Sequence, residues 1–465
     1  MTLIKSISGI RGTIGGKPGE GLTPLDIVKY TSAYGSWVQS QSAANAKVTV
    51  VIGRDARLSG RMVSAIVSTT LMGLGIHVID LELSTTPTVE VAVTELKAQG
   101  GIILTASHNP RQWNALKLLN DKGEFISETV GQEILKLAEA SDFNYAEVNK
   151  LGTLVVNKDF LNVHIQKILD LPYVDVKAIK KANFSIVVDG INSSGGIAVP
   201  ALLEKLGIKN SVLIHGEPTG NFAHNPEPLP EHLSDLSNAV LKHKAHLGIS
   251  VDPDVDRLAF VCEDGEMFGE EYTLVAVADY VLKQNKKGNT VSNLSSTRAL
   301  RDITEQQGGK YMASAVGEVN VVNMMKESKA VIGGEGNGGI ILPELHYGRD
   351  ALVGIAIFLT HLAKYGKSVS MLRKSYPGYF ISKNKIELTA QINVDKVLMD
   401  IQKKYSKQPV NTVDGVKIEF DKEWVHLRKS NTEPIIRIYS ESQTATTAES
   451  LAKKIISDIK EIIKN

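Results

Sequence analysis

The chain is long and nearly neutral. It has 465 residues, of which 43% are hydrophobic and 22% charged, and its formal net charge at pH 7 is +1. Such a length predicts several domains with substantial apolar cores and excludes a small binding module. The charge balance provides no global field for nucleic acid or an anionic membrane, so any anionic ligand must be held by a few local groups.

The single cysteine and the short apolar runs indicate which cellular compartment to expect. Cys262 lies in the apolar stretch 258–262 and is predicted to be buried, which excludes an internal disulfide and a cysteine metal cluster. Residues 1–20 lack the continuous apolar block of a signal peptide. The longest apolar run, 351–359, is shorter than the roughly 20 residues that span a bilayer. We therefore expect a cytoplasmic protein with no membrane partner.

The first third of the chain alternates helix and strand patterns. In chain order, the predicted elements are a helix capped by Thr23 with Pro24 at its first position, a strand over 48–52, a helix capped by Ser59, a strand over 76–81, a helix over 87–98 and a strand over 101–104. This alternation is typical of an α/β domain.

The same alternation restarts twice more, and then the pattern changes. It restarts near 184–188, continues through a strand over 247–251, and restarts again after Glu270. The last part predicts a strand over 385–388, a helix over 394–404, two strands within 413–427, a strand over 435–439 and a helix from Ala445. We predict three similar α/β domains with mixed sheets and a C-terminal α+β domain, arranged around a central cleft. Their predicted bounds are residues 1–153, 154–262, 263–372 and 373–465.

The first loop with candidate catalytic residues is Thr105-Ala106-Ser107-His108-Asn109-Pro110, directly after a predicted strand. Open α/β sheets place their ligands at the carboxyl ends of strands. As a nucleophile, Ser107 would need a base and a charge stabiliser nearby, and His108 and Lys117 are the candidates. An ordinary turn serine is the alternative.

The second loop, Asp252 to Arg257, carries three aspartates at alternate positions: Asp252, Asp254 and Asp256. These carboxylates repel one another unless a cation lies among them, and an all-oxygen ligand set favours Mg²⁺ or Mn²⁺. An EF-hand is excluded, because Arg257 stands where that loop needs glycine and the flanking segments are strands. A solvated acidic turn is the alternative.

The third loop, 333–339, has five glycines in seven residues. Glycines let the backbone approach a ligand closely, while Glu335 and Asn337 are suited to hydrogen bonds with sugar hydroxyls. A plain flexible turn is the alternative.

The fourth loop runs from Arg428 to Pro434, with Arg437 shortly after it. Two arginines, a lysine and three hydroxyl or amide side chains match the needs of a phosphate dianion. An ordinary polar hairpin is the alternative.

Taken together and in this order, the four loops resemble the motifs of the α-D-phosphohexomutase superfamily. Further matching elements along the chain are Ser8 to Gly12, Gly53 to Arg57, Asn114 and Gly317-Glu318. The resemblance implies an enzyme that moves a phosphate between O6 and O1 of a hexose. It also implies Mg²⁺ as cofactor and a hexose 1,6-bisphosphate as intermediate.

The resemblance assigns roles to individual positions. Ser107 would be the phosphoserine and a metal ligand together with the three aspartates, and Lys117 would be the general acid/base. We expect Arg11 and Arg257 to stabilise the transferring phosphate, because a planar guanidinium holds two of its oxygens. The expected substrate-binding residues are Glu318, Glu335, Asn337, Arg428, Ser430, Asn431, Thr432 and Arg437.

The third loop departs from many bacterial members of the superfamily, because Asn337 and Gly339 replace a serine and a histidine. It looks more like archaeal members described as phosphoglucosamine mutases or phosphomannomutases. We predict glucosamine 6-phosphate as the substrate, with Glu318 or Glu335 pairing with its ammonium group. A phosphomannomutase/phosphoglucomutase is the alternative, and a metal-dependent phosphatase is the alternative of another class. The expected partner is the small-molecule hexose phosphate, with no nucleic acid, and the expected assembly is a monomer or homodimer.

Overall fold

The computed structural model describes residues 1–6, 9–43, 46–388, 392–429 and 435–464. Their contacts divide the chain into two compact units. The first unit comprises residues 1–280 and 337–372, and the second comprises residues 281–336 and 373–465.

The N-terminal segment builds a seven-stranded sheet. Its strands are β1 (Leu3–Ser6), β2 (Gly9–Thr13), β3 (Thr49–Arg54), β4 (His77–Leu83), β5 (Gly100–Leu104), β6 (Trp113–Leu119) and β7 (Leu154–Val156). Its helices are α1 (Pro24–Ser40), α2 (Gly60–Gly73), α3 (Thr86–Glu95) and α4 (Glu128–Ala140). The strand order is β1-β2-β6-β5-β3-β4-β7, and β3, β4, β5 and β7 run parallel while β6 is antiparallel to β5.

Alternation along the central strands buries both faces of this sheet. Val50 and Ile52 belong to the core that α1, α2 and α4 cover. Val51 and Ile103 belong to the core on the opposite face, beneath α3. Because successive side chains of a strand point to opposite faces, continuous apolar strands require helices on both sides. The loops after β3 and β5 therefore emerge together at one edge of a well-packed sheet.

The next segment forms a four-stranded sheet. Its elements are α5 (Phe160–Leu169), α6 (Val176–Ala182), β8 (Ser185–Asp189), α7 (Gly195–Leu206), β9 (Asn210–Ile214), α8 (Ser234–His243), β10 (Leu247–Val251) and β11 (Leu258–Cys262). The strand order is β11-β10-β8-β9, with β10 and β11 antiparallel and the other pairs parallel. The hairpin between β10 and β11 carries the three aspartates, so the sheet holds both ends of that loop.

The third segment has nine elements, which belong partly to each unit. They are α9 (Glu270–Gln284), β12 (Thr290–Asn293), α10 (Ala299–Gln306), β13 (Tyr311–Ser314), α11 (Glu318–Ser328), β14 (Ile332–Glu335), β15 (Gly339–Ile341), α12 (Ala351–Tyr365) and α13 (Val369–Lys374). Strand β12 pairs in parallel with both β13 and β14. The apolar run 351–359, too short for a bilayer, is the buried part of α12.

The C-terminal segment is an antiparallel sheet with helices on one face. Its elements are β16 (Phe380–Glu387), α14 (Val394–Lys404), β17 (Val410–Asn411), β18 (Val416–Glu419), β19 (Trp424–Lys429), β20 (Ile435–Ser442) and α15 (Ala445–Lys464). The strand order is β16-β20-β19-β18-β17. Leu427 and Ile438 pack with α14 and α15 on one face. On the other face, Lys417 and His426 bond to residues 294 and 295, just after β12 in the same unit.

Several local predictions are confirmed. Thr23 and Asp26 form the capping box of α1 with Pro24 at its start, and Cys262 is buried. Helix α14 has the predicted bounds. Among the helices within the described ranges, none combines the length and apolar character needed to cross a bilayer.

Candidate active site

Ser107 lies in the loop that follows β5, and its side chain faces the aspartate hairpin. Its Oγ donates to Asp252 Oδ2 over 2.6 Å, although the two residues are far apart in sequence. The serine is only 5% exposed. Its backbone has a φ of 49°, in the left-handed region that residues with a Cβ seldom adopt. Such strain persists only where the surroundings impose it, so other residues must hold this loop in place.

Arg57 holds the serine loop by its backbone. Its Nε donates to Asp55 over 3.0 Å, and both side chains are fully buried. Its Nη1 donates to the carbonyls of Pro110 and Trp113, and its Nη2 donates to the carbonyls of Ser107 and Asn109. A guanidinium has five N–H donors, so every donor of Arg57 has an acceptor. The conformation that presents the Ser107 hydroxyl is therefore fixed by one buried ion pair and four charged hydrogen bonds.

The three aspartates form a buried acidic cluster. Asp252, Asp254 and Asp256 have no exposed surface, and their carboxylates offer oxygens that lie within 4.8 Å of one another. Burial, and then the charges of Asp256 and Asp254, raise the pKa of Asp252 well above its usual value. Within the described part of the chain, Oδ1 of Asp254 and Oδ1 of Asp256 have no hydrogen-bond partner despite being buried. Buried carboxylate oxygens without donors fit a divalent cation such as Mg²⁺.

Lys117 comes from β6 and reaches this acidic cluster. Its Nζ lies 2.7 Å from Asp254 Oδ2 and 3.5 Å from Asp256 Oδ2. Burial alone would lower the pKa of Lys117, but the two carboxylates outweigh that effect and raise it. The antiparallel pairing of β6 with β5 sets Lys117 opposite Ile103, next to the strand that leads into the serine loop. The ammonium group is thus built into the same pocket as the Ser107 hydroxyl.

Two further side chains bind Oδ2 oxygens of the acidic cluster. Thr86, at the start of α3, donates its hydroxyl to Asp254 Oδ2 over 2.6 Å. Arg349 Nη2 lies 2.7 Å from Asp256 Oδ2. Each of these bonds orients one carboxylate and leaves its Oδ1 directed elsewhere.

Arginines concentrate positive charge around Ser107. Arg11 donates to the Asn109 side chain over 3.0 Å, and Arg257 donates to Glu227 over 2.8 Å. Burial and then the proximity of Arg257 lower the pKa of Arg11. The same causes, burial first, hold the pKa of His108 well below its usual value, so this imidazole is neutral at pH 7. Clustered guanidinium groups of this kind suit a phosphate dianion.

Protein-family models match the chain in four consecutive segments. Models of the phosphoglucomutase/phosphomannomutase α/β/α domains I, II and III match residues 3–145, 162–265 and 269–379, and the model of the C-terminal domain matches residues 386–457. The chain belongs to the phosphoglucomutase/phosphomannomutase family. The predicted fold class, three α/β domains with mixed sheets and a C-terminal domain, is confirmed.

Relatives of this phosphoglucomutase/phosphomannomutase family member match it along its whole length. A Thermococcus kodakarensis protein named phosphoglucomutase/phosphomannomutase is 36% identical, over 97% of this chain and 99% of its own. A Sulfurisphaera tokodaii protein named phosphoglucosamine/phosphogalactosamine mutase is 30% identical, over 98% of both chains. A solved structure of a family member from Burkholderia thailandensis has a TM-score of 0.85 at 24% identity, covering 100% of this chain and 98% of that one. The last similarity concerns the fold alone.

The remaining predicted site residues of this family member lie mostly in the second unit. Glu335 is 4% exposed and accepts from the Asn293 side chain over 2.8 Å and from the Gly317 amide over 3.2 Å. Glu318, the first residue of α11, is 8% exposed. The structure therefore places the two candidate partners of an ammonium group around the same glycine.

The predicted phosphate-binding residues are only partly described. Arg428 on β19 lies directly opposite Arg437 on β20, and its Nε lies 2.8 Å from Asp414. Facing like charges in a sheet repel each other, and here Asp414 offsets the charge of Arg428. Ser430, Asn431 and Thr432 lie outside the described residues. Asn337 belongs to the first unit, where its side chain accepts from the Gly339 amide over 3.2 Å.

Sequence reasoning missed three residues that hold the site together: Arg57, Arg349 and Thr86. Arg57 was part of a matched element but had no predicted role, because its acceptors are backbone carbonyls that carry no sequence signature. Arg349 stands in a Gly-Arg-Asp tripeptide like the one that begins at Gly53, and that repetition was the available signal. Thr86 gave none.

Proposed function

We propose that this protein is a phosphohexose mutase that interconverts hexose 6-phosphate and hexose 1-phosphate through phosphorylated Ser107 and a hexose 1,6-bisphosphate. The observation that carries the proposal is the 2.6 Å hydrogen bond from the Ser107 hydroxyl to Asp252 within a buried acidic cluster. A serine so placed, with Lys117 bonded to the same cluster, has the neighbours that phosphoryl transfer requires.

The cofactor we propose is Mg²⁺, held by Asp252, Asp254 and Asp256 together with the phosphate on Ser107. When bound, it would withdraw charge from the transferring phosphoryl group. Support comes from the oxygen-only donor set and from the two buried Oδ1 atoms that have no hydrogen-bond partner within the described ranges.

The chain's own residues account for the remaining chemistry. In the first half of the cycle, the free hydroxyl of the hexose monophosphate attacks the phosphorus of phospho-Ser107. The Lys117 ammonium gives a proton to the departing Ser107 Oγ and is restored by the proton of the attacking hydroxyl. The bond between phosphorus and Ser107 Oγ breaks, so the hexose leaves with two phosphates. Arg11 and Arg257 hold the oxygens of the transferring group. The bonds from Arg57 to the carbonyls of the serine loop, here called the Arg57 clamp, keep Oγ in place.

In the second half, the bisphosphate has turned end for end. Ser107 Oγ attacks its other phosphorus and the bond from phosphorus to the sugar oxygen breaks. Lys117 gives a proton to that sugar oxygen and is restored by the proton of the Ser107 hydroxyl. Arg428 and Arg437 would anchor the phosphate that is not reacting, with Ser430, Asn431 and Thr432. One anchor must then accept the sugar in both orientations, which suits two arginines better than a closely shaped pocket.

The preferred substrate we propose is glucosamine 6-phosphate. Glu335 and Glu318 are buried near Gly317, and carboxylates in such a position would favour a substrate that carries an ammonium group. The name of the Sulfurisphaera tokodaii relative points the same way. The name of the more similar Thermococcus kodakarensis relative favours the alternative, a phosphomannomutase/phosphoglucomutase. A cytoplasmic monomer or homodimer remains our expectation.

The test is a substrate panel with a trace of hexose 1,6-bisphosphate and Mg²⁺. Glucosamine, glucose and mannose 6-phosphates are compared by kcat/KM, and inorganic phosphate is measured in parallel. Preference for glucosamine 6-phosphate supports the proposal, whereas faster turnover of mannose or glucose phosphate assigns the alternative. Net release of inorganic phosphate would indicate a phosphatase. Ser107→Ala should abolish turnover, and unchanged turnover in that variant would refute the mechanism.

A further inference from the structure

Another group of metal-ligating side chains lies in the first unit and shares no residue with the three aspartates. Asp189, at the end of β8, is fully buried. Its Oδ1 lies 3.1 Å from His215 Nδ1, and its Oδ2 lies 2.9 Å from His224 Nε2. The three side chains, here called the Asp-His-His cluster, offer ligand atoms within 4.8 Å of one another. Nothing in the proposed mutase reaction uses them.

The outer nitrogens of both imidazoles face acceptors. His224 Nδ1 lies 2.8 Å from the carbonyl oxygen of Asn225, and His215 Nε2 lies 3.5 Å from Asp235 Oδ2. A carbonyl or carboxylate oxygen can only accept, so each outer nitrogen has an acceptor for its proton when the ring is neutral and the inner nitrogen is left as a metal ligand. Each inner nitrogen then presents a lone pair to Asp189.

In that tautomer, three groups with lone pairs face one another and need a positive charge between them. The alternatives are a proton on each inner nitrogen, donated to Asp189, or one cation in the shared space. Histidine ligands of metal ions usually donate their other N–H to a carboxylate or a carbonyl, and both acceptors are present here. The cluster therefore has the outer hydrogen bonds of a metal site as well as its ligands.

The backbone around the cluster is strained. Ile191, Asn192 and His215 have φ values of 45°, 49° and 47°, and a β-branched residue such as isoleucine is a marked outlier there. The Ile191 amide donates to Asp189 Oδ1 over 2.9 Å, which ties this strained turn to the carboxylate. Strain of this kind tends to occur at ligand-binding sites.

We propose that Asp189, His215 and His224 bind one divalent transition-metal ion of the zinc class. Ligands bound tetrahedrally to zinc at about 2.0–2.1 Å lie about 3.3 Å apart. His215 and His224 each contact a different oxygen of Asp189, at 3.1 and 2.9 Å. The ligand atoms of all three side chains lie within 4.8 Å of one another, so small side-chain rotations bring them to the spacing of a zinc site. The side chains of His215 and His224 are 21% and 15% exposed, so water can reach and complete the coordination.

The ion would brace the chain segment that supports the candidate active site. Between and beyond the two histidines, Phe222 lies under the Arg57 guanidinium at 5.2 Å, and Glu227 accepts from Arg257. Metal binding by the Asp-His-His cluster would thus stabilise two arginine contacts without touching the substrate. The role is structural, and it holds whether or not the chain proves to be a mutase.

The test uses the full-length protein, freed of metal by dialysis against a chelator, in an Asp252→Asn background that weakens the acidic cluster. Titration with Zn²⁺ should give about one bound ion, and Co²⁺ should give the visible absorption of a tetrahedral site with nitrogen ligands. His215→Gln and His224→Gln should each lower the Zn²⁺ affinity at least 100-fold. Asp235→Asn, which changes only an outer acceptor, should lower it roughly 10- to 100-fold.

The matched control is His243→Gln, because His243 is exposed at the end of α8; its Zn²⁺ affinity should equal that of the parent. Circular dichroism of each metal-free variant checks folding, and the exposed Asp235 keeps the test valid if a histidine variant unfolds. If the parent binds no Zn²⁺, or if the His215, His224 and Asp235 variants bind it as tightly as the parent, protons hold the cluster together and the proposal is wrong.

Discussion

The Arg57 clamp gives the sharpest test of how the serine loop is held. Lysine keeps the positive charge beside Asp55 but has three N–H donors where arginine has five. In an Arg57→Lys variant, at least two of the four carbonyls that Arg57 binds lose their donor. A buried acceptor without a partner costs about 1–3 kcal/mol. The variant should therefore be destabilised by about 2–6 kcal/mol although its charge is unchanged.

The loss should appear in two independent measurements. With about 2–4 °C per kcal/mol for a domain of 150–250 residues, the first thermal transition should fall by at least about 4 °C. Phosphorylation of Ser107 by hexose 1,6-bisphosphate, followed by intact-protein mass, should slow because the hydroxyl is no longer held. Arg61→Lys is the control, since Arg61 is exposed on α2. A native melting temperature and a native phosphorylation rate in Arg57→Lys would refute the clamp.

Three further changes address the anchor, the acidic cluster and a buried histidine. In the proposed anchor, Arg428→Leu removes a charged hydrogen bond worth about 1.5–3 kcal/mol to the phosphate, so kcat/KM should fall about 10- to 150-fold, while Lys422→Leu, in the exposed turn before β19, stays near native. Thr86→Val keeps the shape but removes the bond to Asp254, and Mg²⁺ affinity measured by calorimetry should fall roughly 10- to 100-fold. Burial alone would lower the pKa of His346, but its carboxylate neighbours raise it to about 10. Stability should therefore decline from about pH 6.5 to 10, and His346→Gln should flatten that decline.

Each of these three changes has a result that contradicts it. An unchanged kcat/KM in Arg428→Leu, or an equal loss in Lys422→Leu, would remove Arg428 from the anchor. Thr94→Val, on the exposed side of α3, should bind Mg²⁺ normally, and a native affinity in Thr86→Val would show that Asp254 needs no orienting. For His346, the melting temperature is measured from pH 6 to 10, and an equal decline in the native protein and in His346→Gln would contradict the prediction. The sign follows because a group with a raised pKa stabilises the fold fully below the unfolded value near 6.5 and loses that effect as the pH rises.

The elements that sequence reasoning found are those with a local cause. Helix α1 is set by the capping box of Thr23 and Asp26, and α14 by an apolar face between Asn393 and Tyr405. Ser59 was predicted to cap α2 and does precede it, but its side chain makes no cap bond; its Oγ instead accepts from Asn114 over 2.9 Å. The position was right and the contact was wrong, because a distant residue competes for the hydroxyl.

Strand β6 escaped prediction for a related reason. It is almost wholly buried, yet it contains Asn114 and Lys117, so it shows neither an alternating nor a continuous apolar pattern. Lys117 is tolerated there only because Asp254 lies 2.7 Å away, and that partner is far along the chain. A pattern of single residues cannot contain such a pairing. The sequence suggested Lys117 as a candidate base or charge stabiliser for Ser107 and the family resemblance made it the general acid/base, whereas geometry alone identifies its partners.

The charges of the first unit predict a coupling between phosphorylation and metal binding. Lys117 and Arg349 already pair with Asp254 and Asp256, while Asp252, held mainly by neutral donors, has a pKa raised by burial and by its neighbours. A phosphate on Ser107 adds nearly two negative charges, and a divalent cation adds two positive charges, so together they leave the buried net charge almost unchanged.

Either addition alone would unbalance the pocket, so each should favour the other. Unit charges about 4 Å apart interact by about 4 kcal/mol at an effective dielectric constant near 20, and a third of that energy is already a tenfold change in affinity. Mg²⁺ should therefore bind phospho-Ser107 protein at least tenfold more tightly than the dephosphorylated protein, as measured by calorimetry. Ser107→Ala should match the dephosphorylated form. Equal Mg²⁺ affinities in the phosphorylated and dephosphorylated proteins would mean that the phosphate does not share the pocket of the three aspartates.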